Sequence, residues 1–269
     1  MAKKNRPHLV AWVGDLHAGS RWAACPPEVN LYMGGEEPSL YQANKVQVAL
    51  WNDFQDFTQK VKDRAKGKLL ILILGGDCID GPHHHDSLET FGDFDDQIEV
   101  AIDMLLPLAN VADEVYSILG TEGHSGQLSA GDRSVGKELG AKANYYTLEL
   151  EVDGRLIHAK HHTSVSRLAH SRGNSLRNLG IDMAEECLKS GERRPDVMLR
   201  GHVHVAHREY LAEFDMWVAT SGGWQVGTSY SSRMKKEIYD VGGAIYDPTL
   251  HKVELLCYRP QRTILHTKE

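Results

Sequence analysis

Apolar positions recur along this chain with two periods. His8 to Val13 alternates weakly, is apolar enough for a buried strand, and ends at Gly14-Asp15. Leu69 to Leu74 is an unbroken apolar run, the pattern of a strand covered on both faces, and ends at Gly75-Gly76-Asp77. Between them Val46, Leu50, Phe54, Phe57, Val61 and Ala65 recur at helical spacing and predict an amphipathic helix. Ile98, Ile102, Leu105, Leu106 and Ala109 predict a second, and Val115 to Leu119 a short strand ending at Gly120. In the second half, Tyr145 to Val152 and Leu156 to Lys160 flank Asp153-Gly154, a hairpin signal. Leu176 to Leu188 predicts a helix. Asp196 to Leu199, Met216 to Ala219, Gly243 to Tyr246 and Val253 to Tyr258 predict strands. The order is β-α-β-α-β, then mainly hairpins with one helix, which implies a mixed-sheet α/β core with helices outside. No repeat or Pro/Gly/Ser-rich linker interrupts residues 1–269, so a single domain is expected.

Composition changes little until histidine is counted. Of 269 residues 41% are hydrophobic and 25% charged, as in ordinary globular chains. A formal net charge of −7 argues against a generally basic nucleic-acid coat, though not against a local basic groove. No apolar run reaches the roughly 18 residues of a membrane span, and the segment after the basic N-terminus is too short for a signal-peptide core. The 4 cysteines form no Cys-x-x-Cys pair, so a reducing cytoplasm without a disulfide framework is expected. The unusual number is 15 histidines.

Five polar clusters sit just past predicted strand ends: Asp15-Leu16-His17, Asp77, Thr121-Glu122-Gly123-His124, His161-His162, and His202-Val203-His204. In open α/β sheets the ligand crevice lies outside the carboxyl ends of the strands, where such groups can converge. Carboxylate and imidazole together suit borderline divalent metals such as Zn, Mn and Fe. Asp15 and His17 are two apart, as are His202 and His204, a spacing that aims both side chains the same way on extended backbone. One ion needs about four to six donors. Asp15, His17, Asp77, His161, His202 and His204 exceed one tetrahedral shell but suit two ions about 3.5–4 Å apart sharing a carboxylate. His8, His158, His170, His207, His251 and His266 are read as ordinary solvated or hydrogen-bonded histidines.

These residues, in this order, resemble the calcineurin-like metallophosphoesterase superfamily, with its Gly-Asp-x-His, Gly-Asp, Gly-Asn-His, lone His and Gly-His-x-His motifs. The resemblance spans Asp15 to His204. It implies a four-layer α/β/β/α sandwich of two mixed sheets flanked by helices, and two divalent ions (Mn, Fe, Zn or Ni). One ion would be held by Asp15, His17, Asp77 and His204, the other by Asp77, His202 and either His161 or His162, with Asp77 bridging. His161 is favoured because it comes first off its strand. The third motif departs from the family: Thr121 replaces the Asn, as in a similar phage and bacterial branch with Gly-Thr-x-x-His. His124 then either keeps the role of protonating the leaving group or becomes a ligand, and Glu122 or Thr121 either replaces the Asn or stays a loop residue.

The implied reaction is hydrolysis of a phosphate ester by metal-activated hydroxide, with His124 as general acid. A phosphodiester of a nucleotide or nucleic acid is the expected substrate. A phosphomonoesterase is the alternative, and a non-catalytic metal-binding or interaction scaffold the alternative of another class. Arg167 and Arg172 are candidate substrate contacts, since guanidinium forks suit phosphate oxygens, and His83, six residues after Asp77, is a candidate to line the cleft. Ser20 to Tyr41 reads as a long loop. Trp22 and Trp224 are read either as base-stacking or as packing residues.

Overall fold

The apolar runs His8–Val13 and Leu69–Leu74 lie side by side as parallel strands, paired residue for residue from His8↔Leu69 to Val13↔Leu74. The computed structural model describes residues 6–81, 89–166, 169–227 and 239–258. In chain order the strands are β1 (His8–Val13), β2 (Glu28–Leu31), β3 (Ser39–Gln42), β4 (Leu69–Leu74), β5 (Glu114–Ile118), β6 (Asn144–Tyr145), β7 (Thr147–Val152), β8 (Arg155–Lys160), β9 (Val197–Arg200), β10 (His207–Leu211), β11 (Met216–Thr220), β12 (Val241–Asp247) and β13 (Lys252–Tyr258). The α-helices are α1 (Lys45–Arg64), α2 (Phe94–Ala109), α3 (Glu122–Ser125), α4 (Ala130–Glu138) and α5 (Arg172–Ser190).

One sheet has the order β13-β12-β1-β4-β5-β6 and the other β10-β11-β9-β8-β7. Both are mixed: β1, β4, β5 and β6 run parallel, as do β8, β9 and β11, while the outer strands β12, β13, β7 and β10 pair antiparallel. Strand alternation then sorts the core. Val10, Trp12, Ile71 and Ile73 face Ile157, Ala159, Val197 and Leu199 between the sheets. Leu9, Ala11, Val13, Leu70, Leu72 and Leu74 point the other way, onto Leu50, Phe54, Phe57 and Val61 of α1 and Ala101, Met104 and Leu105 of α2. On the far side of the second sheet, Met198, Met216 and Val218 pack on Leu176 of α5. The result is a four-layer α/β/β/α sandwich. Both long first-half helices begin with a capping box, Asn44 with Gln47 and Asp93 with Asp96, each satisfying otherwise orphaned N–H groups.

Two expectations are corrected. Tyr145 to Val152 is not one strand: Asn144–Tyr145 pairs with β5 in the first sheet and Thr147–Val152 with β8 in the second. The chain changes sheets at Tyr146, which is exposed. Ser20 to Tyr41 is not all loop, because β2 and β3 form a hairpin turned by Met33 and Gly34 at φ 49° and 71°. Its turn is clamped by Asp96, whose carboxylate accepts from Tyr32 N at 2.7 Å and Met33 N at 3.0 Å. Helix α4 and strand β10 are additions. The Asp153-Gly154 turn has both residues at positive φ, 50° and 79°, as a type I′ hairpin requires. Among the described residues no helix is long and apolar enough to cross a membrane.

Candidate metal centre

The carboxyl ends of β1, β4, β8 and β9 meet at one rim, and the backbone there is bent hard. Asp15, His17, Asp77, His202 and His204 all lie in the left-handed region, at φ 53°, 49°, 50°, 73° and 47°. Asp and His tolerate that region better than most side chains, yet each such residue still costs of order 1–3 kcal/mol. The bent loops brace one another. Asp15 N donates to Gly76 O at 2.8 Å, His17 N to Asp77 O at 3.0 Å, and Gly201 N to His161 O at 3.0 Å. Glycine is required where they touch: a Cβ on Gly120 would lie 2.2 Å from Asp77 Oδ1, and one on Gly201 2.6 Å from Asp15 Oδ2.

These turns gather three overlapping groups of ligand atoms, each within 4.8 Å of one another: Asp15, His17 and His204; Asp77, His161 and His202; His17, Asp77 and His124. Within them His17 Nε2 lies 3.0 Å from His204 Nε2, His204 Nε2 lies 3.4 Å from Asp15 Oδ1, and His161 Nε2 lies 3.1 Å from Asp77 Oδ2. Asp15 also accepts from His202 N at 3.0 and 3.1 Å. The outer ring nitrogens of His161 and His17 are committed elsewhere. His161 Nδ1 donates to Gly75 O at 2.7 Å, and His17 Nδ1 to Asp80 Oδ1 at 3.1 Å. That assignment turns both Nε2 atoms inward, the arrangement of metal-ligating histidines.

The charges fit a cation. Burial raises Asp77, but the close contact and charge of His161, with His124 and His17 behind it, hold the carboxyl well below the usual range. Asp15 is likewise lowered against its burial, by His204 and His161. Burial and then the nearby His124 push His17 down to about 4, which keeps its imidazole neutral. Burial opposes a charge on His161, yet its close contact with Asp77 and the charges of Asp77 and Asp15 lift it to about 10. His161 Nε2 is buried 3.1 Å from Asp77 Oδ2 without a hydrogen bond, and a divalent cation would give both atoms a partner. Oxygen and imidazole donors in this number suit Mn, Fe, Zn or Ni.

Further side chains steady the group. Thr121 N donates to Asp77 Oδ1 at 2.6 Å, and Thr121 Oγ1 reaches both Asp77 oxygens at 2.8 and 2.9 Å. His124 Nδ1 lies 3.3 Å from Asp80 O and 3.7 Å from Asp80 Oδ1. Burial lowers His124, but its bond to Asp80 and the charges of Asp77 and Asp80 raise it overall. Buried Asp132 ties two motif loops together, accepting from Cys78 N at 2.9 Å, Gly120 N at 2.7 Å and Ser125 Oγ at 2.8 Å. Asp80, Asp132 and Gln225 are absent from the sequence-based set. Only Asp80, three residues after Asp77, carries a signal that could have flagged it.

Other candidates fall outside the three groups. His162 is exposed, its ring 5.0 Å from those of both His161 and His202. Glu122 lies outside the three groups: its carboxylate accepts from Leu128 N at 3.2 Å on the exposed side of its loop. Arg172 begins α5 with its Nε buried and unbonded. His83 and Arg167 lie outside the described residues. Trp224 is fully buried, edge-on to Phe54 and Phe57 at 4.8 and 5.3 Å, and so packs the core.

No protein-family model and no curated protein matches the chain. Solved structures do resemble it. An archaeal phosphodiesterase is 12% identical over 93% of this chain and 99% of its own, with a TM-score of 0.47. Vps29 from Entamoeba histolytica, complexed with Zn, is 14% identical over 94% and 98%, with a TM-score of 0.42. YfcE, a phosphoesterase from E. coli, is 9% identical over 89% and 88%, with a TM-score of 0.43.

Proposed function

We propose that this chain is a calcineurin-like metallophosphoesterase, a single domain that holds two divalent cations and hydrolyses a phosphodiester of a nucleotide or nucleic acid. The observation that carries the reading is the position of Asp77, buried and common to two of the three ligand groups. Asp15, His17, Asp77 and His204 would hold one ion, and Asp77, His161 and His202 the other. When bound, two such cations neutralise the charge of a phosphate ester and, as Lewis acids, strengthen water as a nucleophile near neutral pH.

The chain's own residues supply the rest. Asp80 orients the His17 ring through Nδ1 and anchors His124, whose raised pKa keeps a proton available. His124 delivers that proton to the leaving oxygen, which would otherwise depart as an alkoxide. Thr121 takes no ligand position in this reading; its N–H and hydroxyl fix the Asp77 carboxylate. The acidic composition disfavours tight duplex binding through phosphate neutralisation, which points to a small or single-stranded diester.

The test is turnover of bis(p-nitrophenyl) phosphate against p-nitrophenyl phosphate in Mn, Fe, Zn or Ni, together with metal content. About two ions per chain and faster diester turnover, both lost in Asp77→Asn, are expected. Faster monoester turnover makes it a phosphatase. Absence of bound metal leaves a scaffold and removes the enzyme.

A further inference from the structure

Ligand placement and proton delivery, as proposed above, leave one buried amide beside the metal centre without a task. Gln225 is 7% exposed. Its Nε2 donates to Asp80 Oδ1 at 3.1 Å and to Ser20 Oγ at 2.9 Å. The same Asp80 oxygen accepts from His17 Nδ1 at 3.1 Å and lies 3.7 Å from His124 Nδ1. One carboxylate oxygen is therefore placed between two imidazoles, whose rings meet edge-on at 4.4 Å.

The amide itself is firmly placed. Gln225 bridges to Ala23, Ala24 N donates to Trp224 O at 2.8 Å, and Trp224 N donates to Asp15 O at 2.8 Å. The Trp224 ring is wedged against Phe54 and Phe57 of α1. Ser20 is held in turn by Gln47 Nε2, which donates to its carbonyl at 3.1 Å. Core packing of a tryptophan thus reaches a single carboxylate oxygen beside the candidate ligands.

From this geometry we infer that Gln225 is a positioning residue: its amide holds Asp80 so that Oδ1 takes the His17 Nδ1 proton and His17 Nε2 stays turned toward Asp15 and His204 as a cation ligand. A carboxamide nitrogen suits the task. It only donates, so it does not compete for the His17 proton, and it adds no charge beside a buried carboxylate. Outer partners of this kind orient metal-ligating imidazoles, and their loss typically costs 10–100-fold in metal affinity. The inference rests on the metal reading above and deepens it.

Cobalt(II) is the probe, because its titration gives affinity and its visible bands report the ligands. The full chain is compared with Gln225→Met, of similar shape without a donor, and with Gln225→Glu, which adds a charge beside Asp80. Affinity should fall about 10–100-fold in Gln225→Met and further in Gln225→Glu, with altered bands. Metal-free Gln225→Met should unfold at nearly the wild-type temperature. Ser20→Ala, which removes an oxygen steadying the amide, should fall between wild type and Gln225→Met, and serves if a Gln225 variant does not fold. Wild-type affinity and spectrum in the folded variants overturn the inference and leave the metal centre standing. A wild-type chain that binds no cobalt overturns the metal centre, and the role of Gln225 with it.

Discussion

The Nε2 atoms of His17 and His204, residues 187 positions apart in the chain, face each other at 3.0 Å in a buried pocket. Two facing lone pairs repel unless a proton or a cation lies between them. Asp80 already takes the Nδ1 proton of His17, and burial keeps that ring from gaining a second. His204, whose Nδ1 has no hydrogen-bond partner, can carry its proton on Nε2 and donate to His17 Nε2, and a divalent ion bound by both rings would take that proton's place.

Metal should accordingly stabilise the folded chain. An ion at a hundred times its dissociation constant contributes about 2.7 kcal/mol. For a chain of this size that corresponds to a rise in melting temperature of roughly 5–10 °C. Thermal unfolding in Mn, Zn, Co or Ni against a chelator measures it. Identical melting temperatures under all these conditions would mean that nothing binds between His17 and His204.

Thr121 and Glu122 are neighbours with opposite expectations. Thr121 grips both oxygens of Asp77, whereas the Glu122 carboxylate is spent on Leu128 N. Thr121→Val deletes the hydroxyl bonds and keeps the N–H, so metal affinity or turnover should drop by about 10–100-fold. Glu122→Gln should stay within about twofold, as exposed substitutions away from such contacts usually do. If Glu122→Gln is the damaging change, Glu122 takes part in the centre after all.

The contrast shows which parts of the site can be read before folding. Asp15, His17, Asp77, His202 and His204 stand out because glycine and a strand end mark each of their motifs, and the backbone bends into the left-handed region there. Asp132 gives no such signal. A carboxylate in a short polar helix looks solvated, and only the fold reveals that it is buried under Cys78 N and Gly120 N. The sheet change at Tyr146 is hidden for a related reason: in the sequence Tyr146 extends the period of Leu148, Leu150 and Val152, but it is exposed, and a period does not name the partner strand. The hairpin of β2 and β3 is short, with Val29, Leu31 and Tyr41 as its contribution to the core, too few positions to set a period, and Asp96 holds its turn.

Trp224 is one of two tryptophans, with Trp22, for which the sequence left two roles open. Its ring is fully buried against two phenylalanines, while its backbone carries the Asp15 contact. Trp224→Ala should cost about 3–5 kcal/mol of stability, the usual range for a buried aromatic, through the cavity it leaves. Chemical denaturation measures this directly. A variant of unchanged stability that binds nucleotide more weakly would instead restore the stacking role.

His158 allows a test of acid sensitivity away from the ligands. It is 7% exposed on β8, and burial, with Arg200 and Lys160 adding to it, pushes it from 6.5 down to about 4. The folded chain therefore prefers the neutral ring, while the unfolded chain protonates it near 6.5. Stability from this group is fully present above that value and is lost as pH falls toward about 4. At about 1.4 kcal/mol per unit, the loss across the window is of order 3 kcal/mol. His158→Gln cannot be protonated there. In the metal-free chain, the difference in unfolding free energy between wild type and His158→Gln should therefore shrink or reverse between pH 6.5 and 4. Measuring that difference by denaturant titration at several pH values isolates this group from the other histidines, which both proteins share. A pH-independent difference would place the acid sensitivity of the fold elsewhere, in the Asp77–His161 pair and its neighbours.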